Sequence, residues 1–379
     1  MAEPLKNRYG PAIPRAIANM VHAVHPAFPK KQFLRDALDG YEALELMPRG
    51  HHLAHVLRRH LPEDFEQAIG ILLDSVDAPP GEDLGGSMAA FLYLPHTALV
   101  AHYGLPHFEA SMRAQHLLTQ RFTAEFSIRP FLMQHEAATL ARLKQWTKDP
   151  SEHVRRLVSE GTRPRLPWAP RLPAFQRDPT PVLALLELLK DDPALYVRRS
   201  VANNLNDIGK DHPEVLTRTT HRWLQNASEE RQWIVRHALR TAIKRGEPGA
   251  LAVLGFGAQA DVAVRGAQIT PSKVAIGEKV VLAFEVVNRS AAPQRVLVDF
   301  QIHYTKANGS TAAKVFKLKT LELQAGEAAR LQKTVSLAQM STRTHYPGRH
   351  QVDALLNGLA EPLGHFDLNC AQGLVLAPA

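Results

Sequence analysis

Two kinds of hydrophobic periodicity divide this chain of 379 residues. Up to about Gly257, apolar residues recur every three to four positions, which is the spacing of amphipathic α-helices. Beyond that point they alternate with other residues, as they do from Val296 to Tyr304, and alternation is typical of a strand with one buried face. The pattern therefore predicts a helical domain over residues 1–257 and a β domain over residues 258–379.

The predicted β domain consists of short strands separated by turns. Strand-like runs lie around residues 280–287, 296–304, 316–323, 331–337 and 351–356. Asn308-Gly309 is a strong hairpin signal, because both residues tolerate a positive φ. Short strands at this spacing are typical of an immunoglobulin-like β-sandwich.

The helical region contains an internal repeat. The stretch Asp149–Arg156 (DPSEHVRR) matches Asp192–Arg199 (DPALYVRR) 43 positions later, and Val235-Arg236 is a weaker third copy after 38 more. A period of about 40–47 residues is typical of HEAT-like helix pairs, which bury their apolar faces by stacking on one another. The expected fold is thus mainly α, a HEAT-like helical-repeat solenoid followed by the β-sandwich. Outer helices are predicted over residues 131–147, 181–190 and 213–226, and inner helices over 151–161, 194–209 and 229–245.

Charge and cysteine content limit the partners and the compartment. The formal net charge is +8, which favours a polyanion such as nucleic acid or a membrane surface. Cys370 is the only cysteine, so an intramolecular disulfide and any multi-cysteine metal site are excluded. The chain begins without the apolar segment of a secretory signal, and no apolar run approaches the roughly 18–20 residues of a membrane span. We therefore expect a soluble, cytoplasmic protein, associated with a bacterial nucleoid and making no membrane contact.

Basic residues recur on the predicted inner helices. Arg236, Arg240 and Lys244 follow one another at every fourth position, where like charges destabilise a helix by a few tenths of a kcal/mol per pair. A phosphate backbone would neutralise them, whereas the alternative is a solvated surface face. The recurring Val-Arg step favours DNA in a concave, basic cradle. The residues predicted to contact DNA are Arg155, Arg156, Arg163, Arg165, Arg198, Arg199, Arg236, Arg240 and Lys244.

An unusual connection joins the first two strong repeats. The segment Arg163–Pro173 (RPRLPWAPRLP) is extended by its prolines and presents arginines around Trp168. The face of a tryptophan attracts cations, so Trp168 could stack on a positively charged alkylated base. The alternative is that Trp168 packs beneath the loop.

Two other motifs give weak signals. His51 and His55 lie at i, i+4 and could hold a metal ion, but no third ligand is evident, so we expect a structural or surface role. Gly255-Phe256-Gly257 lacks the rest of a dinucleotide-binding motif and follows a helical pattern. Neither motif indicates a metal or a cofactor.

Three strings carry the most specific signal. They are DPSEHVRRLVSEGTRPRLPW (Asp149–Trp168), VRRSVANNLNDIGKDHPE (Val197–Glu214) and ERQWIVRHALRTAIKRG (Glu230–Gly246). Together they resemble the AlkC/AlkD-type alkyl-base DNA glycosylases, and specifically the AlkC branch. The resemblance covers at least residues 110–257, and some members of that branch carry an appended immunoglobulin-like domain, as the β region here suggests.

The resemblance implies a function and a site. Members of the family are monofunctional glycosylases that use no metal or cofactor and act on cationic lesions such as 3-methyladenine and, in the AlkC branch, 3-methylcytosine. They do so in duplex DNA without extruding the damaged nucleotide, unlike other glycosylases. The expected partner is thus double-stranded DNA containing alkylated bases, with no obligate protein partner. The resemblance assigns Glu125, Glu160 and Asp207 as the carboxylates at the lesion and Trp168 as their aromatic partner.

These residue types suit the expected chemistry, although alternatives remain open. A cationic base is already a good leaving group, and carboxylates stabilise the oxocarbenium-like sugar and orient or deprotonate water. The residues alone also allow Asp207 to be an intrahelical partner of Arg199 or Lys210, or to cap the backbone near Gly209. Other possible functions are a non-catalytic binder of distorted DNA and a protein–protein scaffold, which is the commonest use of helical repeats. The arginine rows argue against the scaffold.

Overall fold

The computed structural model describes residues 5–82, 89–256, 260–340 and 343–370. It forms two compact units, the first made of residues up to His212 together with Asn226–Ala238, and the second of Pro213–Gln225 together with residues from Leu239 onward. Gly257, where the sequence predicts the change of pattern, lies outside the described residues. Within the described ranges, no helix is long and apolar enough to cross a membrane.

The first unit begins with amphipathic helices. They bury stripes such as Ile13, Ile17 and Val21, and the Asp64 side chain caps the fourth helix by accepting a hydrogen bond from the Gln67 N–H at 2.8 Å. The N-terminal part of the predicted helical domain is therefore helical in the described residues. These helices are α1 (Ala12–Val24), α2 (Lys30–Leu38), α3 (Leu46–His60), α4 (Phe65–Asp74), α5 (Leu94–Tyr103) and α6 (Phe108–Leu118).

The repeat helices follow in the predicted order. They are α7 (Ile128–Gln134), α8 (Glu136–Trp146), α9 (Glu152–Gly161), α10 (Pro173–Arg177), α11 (Thr180–Leu189), α12 (Leu195–Ile208), α13 (Pro213–Leu224), α14 (Glu229–Ala238), α15 (Arg240–Lys244) and α16 (Pro248–Val253). Helix α9 packs on α8, α11 and α12, and α12 packs on α11 and α14, so HEAT-like pairing is confirmed.

Two predicted helices are each divided in the structure. The predicted outer helix over residues 131–147 is replaced by α7 and α8, which meet at His135 with φ −127° and ψ 45°. The predicted inner helix over residues 229–245 is interrupted at Leu239, whose ψ of −8° departs from α-helical geometry. Hydrophobic periodicity missed both breaks because the buried stripe continues across them.

The 43-residue repeat reflects how each inner helix begins. In both copies the aspartate accepts a hydrogen bond at 2.9 Å from the N–H two residues later. Nη1 of Arg155 donates to the carbonyl oxygen of Asp149 at 2.8 Å, and Nη1 of Arg198 donates to that of Asp192 at 2.9 Å. Arg155 also joins the copies, because its Nε lies 2.6 Å from a carboxylate oxygen of Asp192. The recurrence of the Val-Arg pair is therefore explained by the structure, because its arginine forms hydrogen bonds at the start of each inner helix.

The second unit contains the strands. Their order is β1-β3-β6 in a three-stranded sheet and β2-β8-β7-β4-β5 in a five-stranded sheet. This confirms the predicted fold class, a mainly α helical-repeat protein followed by an immunoglobulin-like β-sandwich. The strands are β1 (Val262–Thr270), β2 (Lys273–Ala275), β3 (Lys279–Asn288), β4 (Gln294–Thr305), β5 (Thr311–Leu323), β6 (Ala328–Ser336), β7 (Gly348–Leu356) and β8 (Leu359–Asn369).

Side chains from both sheets form the core of the β-sandwich. Alternate residues of β3 and β4, such as Val280, Phe284 and Phe300, are buried as predicted. The predicted hairpin joins β4 to β5, but Gly309 is the residue of the pair that takes the positive φ, at 75°. Strands β1 and β8 were not predicted because most of their side chains are exposed and their hydrophobic alternation is weak.

Candidate active site

The three predicted carboxylates lie in the first unit, at the ends of helices and in a turn. Glu125 lies in the turn before α7, Glu160 in the last turn of α9, and Asp207 in the last turn of α12. Glu160 is 5% exposed and Asp207 is 1% exposed, so both depend on protein partners for hydrogen bonds. The packing of α9 on α12 brings these two residues into one network.

Both oxygens of Glu160 are bonded. Oε1 accepts from Nη1 of Arg163 at 2.6 Å, and Oε2 accepts from the Ser200 hydroxyl, also at 2.6 Å. The Ser159 hydroxyl lies 2.7 Å from that of Ser200 and extends this chain of hydrogen bonds. The side chain of Glu160 is thus held in one orientation from two sides.

Asp207 is bonded in the same way by two cations. Its Oδ2 accepts from Nε of Arg163 at 2.8 Å, and its Oδ1 accepts from the Lys210 ammonium at 2.6 Å. The pairing with Lys210, which the sequence left open, is therefore present, although Lys210 lies just beyond the end of α12. A cation from the loop after α9 accompanies it, and no local sequence pattern indicated that contact.

Arg163 is the centre of this network rather than a surface residue. It is 8% exposed and bridges Glu160 and Asp207. Burial alone would lower the pKa of its guanidinium, but the two carboxylates raise that pKa above the ordinary value. The guanidinium of Arg163 faces these two carboxylates, and its contact with a DNA phosphate stays a prediction.

Arg156 connects the third carboxylate to the other two. Its Nη1 lies 2.5 Å from Oε2 of Glu125, and its Nη2 lies 3.5 Å from Oε1 of Glu160. Glu125 also accepts a hydrogen bond from the Thr123 hydroxyl at 2.7 Å. The predicted carboxylates thus form one chain of contacts, running from Glu125 through two arginines to Asp207.

Trp168 lies beside this network on the proline-rich loop. It has a φ of 63° and is 71% exposed, so it does not pack beneath the loop. A cavity of about 290 Å³ is lined by Trp168, Glu125, Glu160 and Arg163, with Phe122 and Phe126 among its apolar walls. An aromatic face and two carboxylates therefore share one concavity, which suits a planar cation.

Arg129 is a residue of this region that the sequence analysis missed. It is 1% exposed, and its guanidinium donates to the carbonyl oxygens of Gly161, Arg163 and Pro170. Burial, followed by the charge of Arg163, lowers the pKa of Arg129 to about 10. An arginine at the second position of a short helix gives no sequence signal of such a role.

The arginines predicted to contact DNA fall into two groups. The first group is partly buried and hydrogen-bonded within the repeats, and it consists of Arg155, Arg156 and Arg198. Arg165 belongs with them, because it forms a bidentate ion pair with Asp211 in which Nε lies 2.9 Å from Oδ2. Arg199 and Arg236 are exposed, as is Lys244, whereas Arg240 is half-buried. The exposed group remains available for phosphates, while the bonded arginines are occupied by protein groups.

The predicted basic row does not lie on one helix. Arg236 belongs to α14 in the first unit, and Arg240 and Lys244 belong to α15 in the second. The turn at Leu239 separates the two helices. The binding of these three residues to DNA stays a prediction.

The two predicted histidines meet a third one. Nδ1 of His51 lies 2.8 Å from Nε2 of His102 on α5, and the rings of His55 and His102 are 4.7 Å apart. Burial lowers the pKa of His51 and of His102. Throughout the described residues, no group of three His, Cys, Asp or Glu side chains could hold a metal ion.

Comparisons with known proteins match nearly the whole chain. It is 40% identical to the Pseudomonas fluorescens alkylpurine DNA glycosylase AlkC, whose structure was solved bound to DNA containing an abasic site analog. That match covers 97% of this chain and 100% of the other, with a TM-score of 0.88. The uncharacterized protein YhaZ of Bacillus subtilis (strain 168) is 36% identical over 355 residues, covering 93% of this chain and 96% of that protein. A family model of the YhaZ C-terminal Ig-like domain matches residues 263–370.

Proposed function

We propose, from the premise that this chain belongs to the AlkC family of DNA glycosylases, that it hydrolyses the N-glycosidic bond of cationic alkylated bases in duplex DNA. Its substrates would be lesions of the 3-methyladenine and 3-methylcytosine class. One observation carries the proposal: three carboxylates in contact with two arginines lie beside an exposed tryptophan, in a chain 40% identical to AlkC over 97% of its length.

The residues suit a reaction in which the leaving group needs little help. The positive charge of the base already weakens the bond to the sugar, and the indole of Trp168 attracts that charge. As the bond breaks, positive charge moves to the sugar, where a fixed negative charge lowers the energy of the transition state. Glu125 and Glu160 line the cavity that Trp168 lines, so they are proposed to face the sugar and to orient water.

Asp207 is proposed to join them when DNA binds. In the structure its two oxygens are occupied by Arg163 and Lys210. The side chain of Lys210 is 31% exposed, so a DNA phosphate can attract the ammonium away from Asp207. This movement would free one carboxylate oxygen while Arg163 holds the other.

The remaining parts of the proposal concern how DNA is held. Exposed Arg199, Arg236 and Lys244, with Arg240, are proposed to contact phosphates, and the damaged nucleotide is proposed to stay stacked in the duplex. We also propose that residues 1–257 act as the catalytic domain and residues 258–379 as a separate domain. The match of the Ig-like family model to residues 263–370 supports this division.

The function is tested by incubating the protein with duplex DNA treated with a methylating agent. Free bases are identified by liquid chromatography and mass spectrometry, and strand breaks are counted before and after alkali treatment. We expect release of 3-methyladenine, with breaks appearing only after alkali. Tight binding to the duplex without any base release would instead indicate a non-catalytic DNA binder.

A further inference from the structure

The proline-rich loop is closed by one arginine from another helix. Nη1 of Arg129 donates to the carbonyl oxygens of Gly161 at 3.1 Å and Arg163 at 2.9 Å, where α9 ends and the loop begins. Nε of the same residue donates to the carbonyl oxygen of Pro170 at 2.9 Å, near the far end of the loop. A single planar guanidinium therefore holds both ends of the segment that carries Trp168.

The loop has few other means of fixing its backbone. Its prolines have no N–H, so carbonyl groups within it need donors from elsewhere. Other contacts anchor single points of the loop: Arg163 bonds to Glu160 and Asp207, Arg165 pairs with Asp211, and the side chains of Leu166 and Leu172 are buried. One backbone bond, from the Leu172 N–H to the Pro164 carbonyl oxygen at 3.2 Å, also joins its two ends. Arg129 is the side chain whose hydrogen bonds reach both ends of the loop.

Trp168 has an unusual need for such support. It is 71% exposed, so burial contributes little to its position. Its φ of 63° lies in the left-handed region, which costs an L-residue about 1–2 kcal/mol and persists only where the surroundings impose it. The position of the indole therefore depends on the backbone of the loop, and Arg129 binds that backbone on both sides of Trp168.

We propose that Arg129 is the positioning residue of the lesion site, which places Trp168 over the damaged base by clamping both ends of the loop. The inference rests on the proposed function and deepens it. Arg129 does not touch the base: it acts through the backbone of the loop.

The test replaces the guanidinium but keeps its charge. In Arg129→Lys a single ammonium replaces the planar fork and cannot reach carbonyl groups on both sides. The matched control is Arg49→Lys, because Arg49 is also buried in the first unit and donates to the carbonyl oxygens of Lys6, Tyr9, Glu42 and Leu44. Both variants lose several buried hydrogen bonds, but only Arg129→Lys releases the loop.

Two readouts separate positioning from general destabilisation. The first is single-turnover release of 3-methyladenine below the melting temperature, where we expect Arg129→Lys to be about 10- to 100-fold slower and Arg49→Lys to be unchanged. The second is the fluorescence anisotropy of Trp168 in free protein, obtained by subtracting the signal of the matching Trp168→Phe protein. We expect faster rotation of the indole in Arg129→Lys only.

A double-mutant cycle then asks whether Arg129 acts through Trp168. If it does, adding Arg129→Lys to Trp168→Ala changes the excision rate by less than about twofold, because the group being positioned is already gone. Independent, multiplicative losses, or unchanged anisotropy, would overturn the proposal. If the wild type releases no base, the proposed function fails, while the anisotropy of Trp168 still decides the role of Arg129.

Discussion

Polar side chains are buried to different extents in the inner helices of the first unit and in the strands of the second. In β3 and β4, hydrophobic side chains point into the core at every second position, and most intervening residues remain partly exposed. In α9 and α12, polar residues such as Glu160, Asn204 and Asp207 are buried and bonded to one another or to the loop. A buried charge network is costly unless each member is paired, so the pairing of Glu160 and Asp207 with cations is what allows both carboxylates to be buried.

The first prediction breaks this network at its centre. Arg163→Met leaves Glu160 and Asp207 buried without the cation that they share, and removing one partner of such a network costs about 3–5 kcal/mol. The free energy of unfolding, from urea titration, should fall by that amount. Arg171→Met removes an exposed arginine from the same loop and should change it by less than about 0.5 kcal/mol. Equal losses in both variants would mean that the network contributes nothing to stability.

The second prediction concerns the pH dependence of stability, to which a buried histidine of the helices contributes. Burial lowers the pKa of His96 to about 4, below the value of about 6.5 for an unfolded chain. Between these values the unfolded state binds the additional proton, so stability is lost as the pH falls. From pH 7 to pH 5 we expect His96→Leu to lose about 2 kcal/mol less than the wild type, measured by urea titration. Parallel losses in the two proteins would contradict the low pKa.

The third prediction concerns the predicted DNA-binding cations on either side of Leu239, of which Arg236 and Lys244 are exposed and Arg240 is half-buried. Replacing Arg236, Arg240 and Lys244 by Gln should weaken duplex binding of any sequence. It should also reduce the salt slope by about 0.9 for each phosphate that the protein no longer neutralises. The measurement is the affinity for duplex DNA at several salt concentrations.

A matched triple variant controls for net charge. Arg15, Lys31 and Arg35 are exposed on α1 and α2, and their replacement by Gln removes the same three charges. We expect the salt slope of this control to equal that of the wild type. If the two triple variants bind alike, the predicted phosphate contacts are wrong.

The same contrast explains which features the sequence could predict. Alternation in β4 is a local property, so its buried face was predicted, with the exception of Asp299, which is buried at a β-bulge. The 43-residue repeat located α9 and α12 because each copy carries its own helix-start hydrogen bonds. The role of Arg163 could not be predicted, since Asp207 lies 44 positions away and no local pattern joins them. The resemblance supplied Glu125, Glu160 and Asp207, but not the cations that orient them.

Asp207→Asn tests the central claim most directly, because an amide keeps the shape of the side chain and one accepting oxygen but removes its charge. The measurement is single-turnover release of 3-methyladenine, together with the affinity for a duplex containing an abasic site. We expect excision to slow by about 10²–10³-fold while the affinity is retained or slightly increased. Excision at the wild-type rate would contradict the account and remove Asp207 from the mechanism.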